Sequence, residues 1–332
     1  MALEPGPKPN GAAEGDANYS IPLKLAAVPV GTHYIEQHYL YAFAPQAEIL
    51  HYVRTQAIDT ERERLPIIVA GWTKVQPRVS ALQQTEASTA DSIGTEAIPS
   101  QHLGRIAEIR SDPLFQKTFA NHPITFGMVE IDKVVAAQRS VNLAYVRKLR
   151  AQLSSDRSMD ALIEFFLSPG KTTEPIQHLE VAQNVHVFSS PNSDLRFLGA
   201  FRKEIGADDL SYAAGGGLPA TAVIGFIGYG ASSVNAFTVG GRIFLNNGFH
   251  RVYAARQAGI KHVPVVLQRV GNIQLEFPPA IAGIPREYLL GVSRPVLMKD
   301  FFETDFTINL KTRDRIRAVI VQVVANQHDV PA

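Results

Sequence analysis

Six consecutive residues, Asn246-Asn247-Gly248-Phe249-His250-Arg251, crowd polar donors around one glycine. A helix N-terminus leaves backbone N–H groups unpaired, and its aligned peptide dipoles favour negative charge there. Gly248 permits a sharp turn and close approach by a ligand, Asn247 is the candidate helix cap, and Asn246 with Asn247 would orient the turn. His250 and Arg251 add side-chain donors, the arginine with a planar fork suited to phosphate oxygens. The chemistry expected of such a turn is anion capture, with phosphate the commonest biological anion to fill it. The competing reading is a plain capped helix start whose His250 and Arg251 pair with neighbouring carboxylates or carbonyls.

Other clusters carry less. Ser168-Pro169-Gly170-Lys171-Thr172 has the Gly-Lys-Thr end of a phosphate loop, but Phe165 stands where its first glycine belongs. Gly215-Gly216-Gly217 and Gly225-Phe226-Ile227-Gly228-Tyr229-Gly230 have the wrong glycine order for a dinucleotide fingerprint and read as a turn, one that would cover a ligand at the nearby anion site. The ten histidines show no metal-ligand spacing; His33 and His38, five apart, do not share a helix face. Glu130 and Asp132 are strand-end carboxylates available to a base or metal role. Lys311, Arg313, Arg315 and Arg317 alternate as on the solvent face of a strand, while Ile316, Val319, Ile320, Val323 and Val324 fit a helix equally well. With no cysteine, disulfides, thiolate nucleophiles, Fe–S clusters and Cys-containing zinc sites are excluded.

The elements that must position the turn are legible around it. Arg242-Ile243-Phe244-Leu245 is strand-like, residues 249–258 have helical character, Gly259 fits a left-handed C-terminal position, and Val263 to Leu267 returns to strand. Upstream, Ile124 to Ile131 alternates as a strand, and Val146, Leu149 and Leu153 mark a helix over 141–153. Val185 to Phe188 is a short strand between turns at 168–170 and 191–193. Pro66-Ile67-Ile68-Val69-Ala70 reads as a buried strand ended by Gly71, and residues 80–100 read as a surface loop.

The stretch from Phe244 to Val266 resembles the signature segment of the ParB/sulfiredoxin fold superfamily: a strand, a Gly-x-His/Arg-Arg turn, an Ala-rich helix, a Gly and a strand beginning near Ile/Val-Pro. Val129 to Val135, with Gln138-Arg139 and the following helix, is similar to that family's first strand and box. The resemblance implies nucleotide-phosphate binding by Gly248, His250 and Arg251, with Gln138 and Arg139 in support. Phe249 occupies the place of the sulfiredoxin cysteine, and of the glutamate often found in partition proteins, so neither thiol nor carboxylate chemistry carries over. Residues 271–332 hold Pro278-Pro279, Pro285 and Pro295 and no pattern for the partition proteins' helix-turn-helix. Arg294-Pro295 and Lys299 to Phe302 resemble a segment that follows the same turn in bacterial relatives.

The whole chain, 332 residues with 45% hydrophobic composition, is long enough for one large domain or two smaller ones. With 32 Lys and Arg against 31 Asp and Glu, a formal charge of +1, bulk charge does not support DNA binding. Nothing near Met1 resembles a signal peptide and no run is long enough for a membrane span, so a cytoplasmic location is expected. The expected class is α+β. Its parts are a disordered tail at 1–18, an N-terminal region at 19–118, a ParB/sulfiredoxin-like core at 119–270 with a long insertion at about 155–235, and a C-terminal extension at 271–332. The expected ligand is a nucleotide or other phosphorylated small molecule; any turnover would be Mg²⁺-dependent phosphoryl transfer or hydrolysis. A DNA-binding or nuclease-type ParB relative, and a non-catalytic interaction module on the same fold, are the alternatives.

Overall fold

The computed structural model describes residues 34–120, 123–170, 175–192, 194–206, 209 and 219–329, with 154 and 155 by backbone alone. The tail at 1–18, His33, His122, Lys171, Thr172 and Gly215 to Gly217 lie outside the described residues.

Strand β1 (Tyr34–Tyr39) leads to helices α1 (Gln46–Gln56), α2 (Asp59–Glu63) and α3 (Leu65–Thr85). The two-residue β2 (Thr95–Glu96), α4 (Leu103–Ser111) and α5 (Pro113–Thr118) precede β3 (Ile124–Glu130). Next come β4 (Ser140–Asn142), α6 (Leu143–Ser155) and α7 (Met159–Leu167), then four strands of the insertion: β5 (Gln177–Ala182), β6 (Val185–Ser190), β7 (Leu195–Glu204) and β8 (Thr221–Tyr229). β9 (Asn235–Val239) and β10 (Arg242–Asn247) form a hairpin, followed by α8 (Phe249–Gln257) and β11 (His262–Arg269). The remainder holds α9 (Ile273–Glu276), a small hairpin of β12 (Ala280–Ile281) and β13 (Ile284–Pro285), α10 (Arg286–Gly291), β14 (Ile308–Arg313) and β15 (Arg317–Gln322). The class is α+β.

The central sheet has the order β10-β9-β11-β3-β2. Its middle strand β11 is antiparallel to β3 and parallel to β9. Val263 and Val265 to Leu267 are all buried, as a strand covered on both faces requires, which is why this run is continuously apolar rather than alternating. Helix α7 packs on β11, and α6 packs on α8. Their apolar positions match: Val146, Leu149 and Leu153 are buried on α6, and Leu162, Ile163, Phe166 and Leu167 on α7. Both helices start at side-chain caps, Asn142 accepting from the Tyr145 N–H and Ser158 from the Ala161 N–H. A second sheet, β14-β1-β4, joins the two ends of the described chain, with Tyr34 opposite Arg313 and Tyr39 opposite Ile308. His38 reinforces that joint: its Nδ1 lies 2.6 Å from Asn309 Oδ1 and its Nε2 2.9 Å from the Phe301 carbonyl oxygen.

Three sequence expectations change. Pro66 to Ala70 is the start of α3, not a strand: proline fits the first turn, where no N–H is needed, and Ile68, Val75 and Val79 recur on one buried stripe while Ile67 faces solvent. Five apolar residues alone do not distinguish a strand from a buried helix face. The same helix takes the first residues of the expected 80–100 loop, running to Thr85. Gly225 and Gly228 lie inside β8 rather than in a turn. A Cβ on Gly225 would sit 3.1 Å from the Phe197 ring, and one on Gly228 3.1 Å from Leu198 Cδ1, so both glycines make room for cross-strand side chains. The basic residues at 311, 313, 315 and 317 are all exposed, on β14, β15 and the turn joining them, so that segment is strand and not helix. No helix of the described residues is long and apolar enough to cross a membrane.

A candidate anion site at the head of helix α8

The chain leaves β10 at Asn247 and enters α8 through Gly248, whose φ of 94° lies in the left-handed region. Gly248 itself, not Asn247, holds the N-cap position, and no side chain caps the helix. The reason is steric. A Cβ at 248 would come within 2.4 Å of Val234 Cγ2, so this backbone path is open only to glycine. Asn247 instead points its Nδ2 at the Ala231 carbonyl, 3.4 Å away, and the head of α8 keeps its backbone N–H groups without a side-chain acceptor.

Buried amides fix the turn from behind. Asn246 Nδ2 donates to Asn235 Oδ1 at 2.8 Å, and Gln268 Nε2 donates to the same oxygen at 3.0 Å. Asn235 Nδ2 in turn donates to the Ser233 carbonyl, and the Ser233 hydroxyl to the Leu167 carbonyl at 2.7 Å. The end of α7 is thereby tied to the segment beneath the turn. Asn235, Ser233 and Gln268 lie in stretches whose apolar neighbours dominate the sequence pattern; a buried-polar requirement at a strand end is visible only once the strands are paired.

His250 and Arg251 face different partners. His250 Nε2 accepts the backbone N–H of Asn142 at 3.0 Å, so the first residue of the α6 cap meets the second residue of α8. The Tyr145 ring packs edge-on against the imidazole, with centroids 5.2 Å apart. Burial pushes the His250 pKa down to about 4, and the accepted N–H bond, which only an unprotonated nitrogen can make, acts in the same direction. Arg251 Nη1 donates to the Phe165 carbonyl at 2.9 Å, near the C-terminus of α7. Among the described residues no carboxylate pairs with this guanidinium, and burial pushes its pKa down to about 10. Asn142 and Tyr145 are the residues that sequence inspection missed; the Asn142 cap at the start of the 141–153 helix was the available signal.

The remaining candidates belong elsewhere. Gln138 donates to the Ser140 carbonyl within the β4 region, and Arg139 pairs with Glu48 at 2.6 Å and donates to the Phe43 carbonyl, joining that region to the N-terminal helices; the bonds described for both lie away from the turn. Asp132 is held bidentately by Arg256, and Glu130 by Lys133 at 2.7 Å. Phe249 is buried in the core. A cleft of about 540 Å³ lies apart from the turn, beside β1 and β14, lined by Glu36, His38, Glu61, Arg64 and Lys311.

The neutral state of His250 has a measurable consequence. The unfolded chain binds a proton at this residue near pH 6.5, whereas the folded protein resists it down to about pH 4. Above pH 6.5 both states are neutral and the residue adds no pH dependence. As the pH falls from 6.5 towards 4, the unfolded state is favoured progressively, by about 2–3 kcal/mol at the lower end. Urea unfolding at pH 7 and pH 4.5 should show this loss, and His250→Gln, which keeps an acceptor but takes up no proton, should lose distinctly less.

The chain matches no family model, no curated protein and no solved structure at a significant level.

Proposed function

We propose that the head of α8 binds the phosphate group of a small phosphorylated ligand, a nucleotide being the first candidate, through the α8 backbone N–H groups and Arg251. One observation carries the reading. Arg251 is a desolvated guanidinium, depressed to about 10, with no carboxylate partner among the described residues. A buried cation left without counter-charge is costly, and an anion at the adjacent helix terminus would relieve that cost. The N-termini of α6 and α8 meet at the His250–Asn142 bond, so two helix dipoles favour negative charge in the same place.

The order β10, left-handed glycine, α8, left-handed Gly259, β11, together with β3 and α6 upstream, supports reading 119–270 as a ParB/sulfiredoxin-like core. The reading is of binding rather than turnover. The residues placed at the turn include no carboxylate, so a protein-held Mg²⁺ finds no anionic donor there, and the reading has Mg²⁺ arriving on the ligand's own phosphates.

One observation favours the non-catalytic interaction module instead: His250 Nε2 and Arg251 Nη1 are already spent on the Asn142 N–H and the Phe165 carbonyl. Calorimetric titration with inorganic phosphate, pyrophosphate and nucleoside di- and triphosphates, with and without Mg²⁺, separates the two. A charge-assisted bond at Arg251 predicts that Arg251→Ala weakens binding about ten- to a hundredfold, with Arg251→Lys in between. Absence of binding to every probe at millimolar concentration, or equal affinity in Arg251→Ala, would sink the phosphate reading and leave the interaction module.

A further inference from the structure

The insertion strands and β15 form two small sheets, β15-β6-β5 and the two-stranded ribbon β7-β8. β7 packs beside β15, and the Tyr229 hydroxyl donates to Ser190 Oγ of β6 at 2.8 Å, which joins the sheets. Over half of the large apolar side chains that stay exposed in the described chain lie on these sheets or just after β15.

The outer strand is the unusual part. Among the described residues β8 pairs with β7 alone, so from Thr221 to Gly228 its other edge faces no strand. Edge strands are ordinarily blunted by a lysine, a proline, a bulge or brevity. β8 has none of these: it is nine residues long, regular, and contains no proline, and no charged residue occurs between Ala220 and Gly241. Its partner β7 is guarded in the usual way, with a register shift between Phe197 and Gly199 and with Arg196, Arg202 and Lys203 along it. Val223 is 80% exposed and Phe226 47%. The ribbon's charges are already matched locally, Arg196 by Asp194, Arg202 by Glu204 and Lys203 by Asp209, which leaves no net field to select nucleic acid or an acidic membrane.

We propose that β8 is the interface of a homodimer, in which the β8 edges of two copies pair antiparallel about a two-fold axis and join two ribbons into one four-stranded sheet. The sequence is self-complementary in that arrangement. With the axis at Gly225, Ile224 lies opposite Phe226 of the second copy, an aromatic–β-branched cross-strand pair, and Val223 lies opposite Ile227. No charge meets a like charge anywhere along the pairing. A two-stranded ribbon is marginal by itself in water, and doubling it to four strands supplies the partner it lacks. A closed two-fold contact consumes the β8 edge of each copy and leaves outermost the β7 edges, which the register shift and the charges guard, so the assembly stops at two copies.

Sedimentation equilibrium of the full chain at 1–100 μM tests the proposal. Wild type is expected as a dimer and Val223→Lys as a monomer with an unchanged far-UV spectrum, since the introduced charge guards the edge at an 80%-exposed position. The register is checked by mixing: Ile227→Glu copies combined with Val223→Lys copies should recover a heterodimer, because positions 223 and 227 face each other across the axis. Amide exchange in the β8 strand should slow with rising concentration in wild type and not in Val223→Lys. A wild-type monomer throughout this range, or a Val223→Lys protein that remains dimeric with its β8 amides protected, overturns the assignment.

Discussion

Replacing Arg294 by methionine should destabilise the protein by about 3–5 kcal/mol, as expected for removing one member of a buried ion pair. Arg294 is 1% exposed and Asp300 1%. The guanidinium binds both carboxylate oxygens of Asp300, with Nη2 to Oδ1 at 2.7 Å, and reaches Glu86 at 2.9 Å. Asp300 also accepts the Leu297 N–H at 2.8 Å, and Lys299 closes the group by pairing with Glu86 at 2.8 Å. In Arg294→Met the Asp300 carboxylate keeps its burial and loses its only direct cationic partner. The cost is of the orphaned charge and not of the pair as such, so Arg294→Met with Asp300→Leu should regain most of the loss. Urea midpoints of the single and double variants at pH 7 measure both. A single variant within 1 kcal/mol of wild type would show that Asp300 is not the buried, ionised centre of this network.

Gly248→Ala should cost about 2–5 kcal/mol and abolish phosphate binding. Two penalties add: a non-glycine residue held in the left-handed region costs about 1–2 kcal/mol, and overpacking a closed core typically costs about 1–3 kcal/mol. The second arises because the new methyl would lie 2.4 Å from Val234 Cγ2 and 3.0 Å from its Cβ. The pair Gly248→Ala with Val234→Ala removes the two Cγ contacts, keeps the 3.0 Å approach to the Cβ of residue 234 and leaves the φ of 94° in place. It should recover the packing share and not the backbone share. Binding should follow the backbone, because the N–H groups at the head of α8 aim correctly only along this path. Full stability in the single variant would mean that the turn can rearrange, and an anion site built on it would then lack its frame.

Around this turn the sequence is unusually informative, for a physical reason. A left-handed glycine, a helix with its apolar stripe, a second left-handed glycine and a buried parallel-paired strand are all local requirements, each written in consecutive residues. The helix over 141–153 and the strands at 124–131 and 185–188 were legible for the same reason. What the sequence hides is decided by partners far away. Pro66 to Ala70 is helical because Ile68, Val75 and Val79 fall on one buried stripe, Ile68 entering the smaller core and the two valines the larger, a spacing that extends beyond the apolar run itself. Asn247 has the composition of a cap, but Val234, thirteen positions upstream, forces the glycine into that role. Gln138 and Arg139 sit beside the right box in sequence and are drawn away by Ser140, Glu48 and Phe43. The phosphate role expected of His250 and Arg251 rests on residue types alone in the sequence; their neighbours Asn142 and Phe165 become known only when α6, α7 and α8 are packed together.

The pairing of β1 with β14 bears on how the chain is made. Tyr34 and Arg313 are opposite each other, and Arg294 reaches back to Glu86, so both closures join early residues to late ones. A ribosome synthesising this protein exposes β1 well before the strand that completes it exists. The β11–β3 strand pair is complete once Arg269 has emerged and can form first, while its core still awaits Phe277, Leu297 and Phe301. Until β14 emerges, the buried faces of Tyr39, Ile49 and Val53 await a lid. Non-local closure of this kind slows folding and leaves a nascent chain dependent on protection from aggregation. Translation stalled before residue 308 would therefore release a chain whose central sheet is formed and whose N-terminal third is sticky, a substrate for chaperones and proteases.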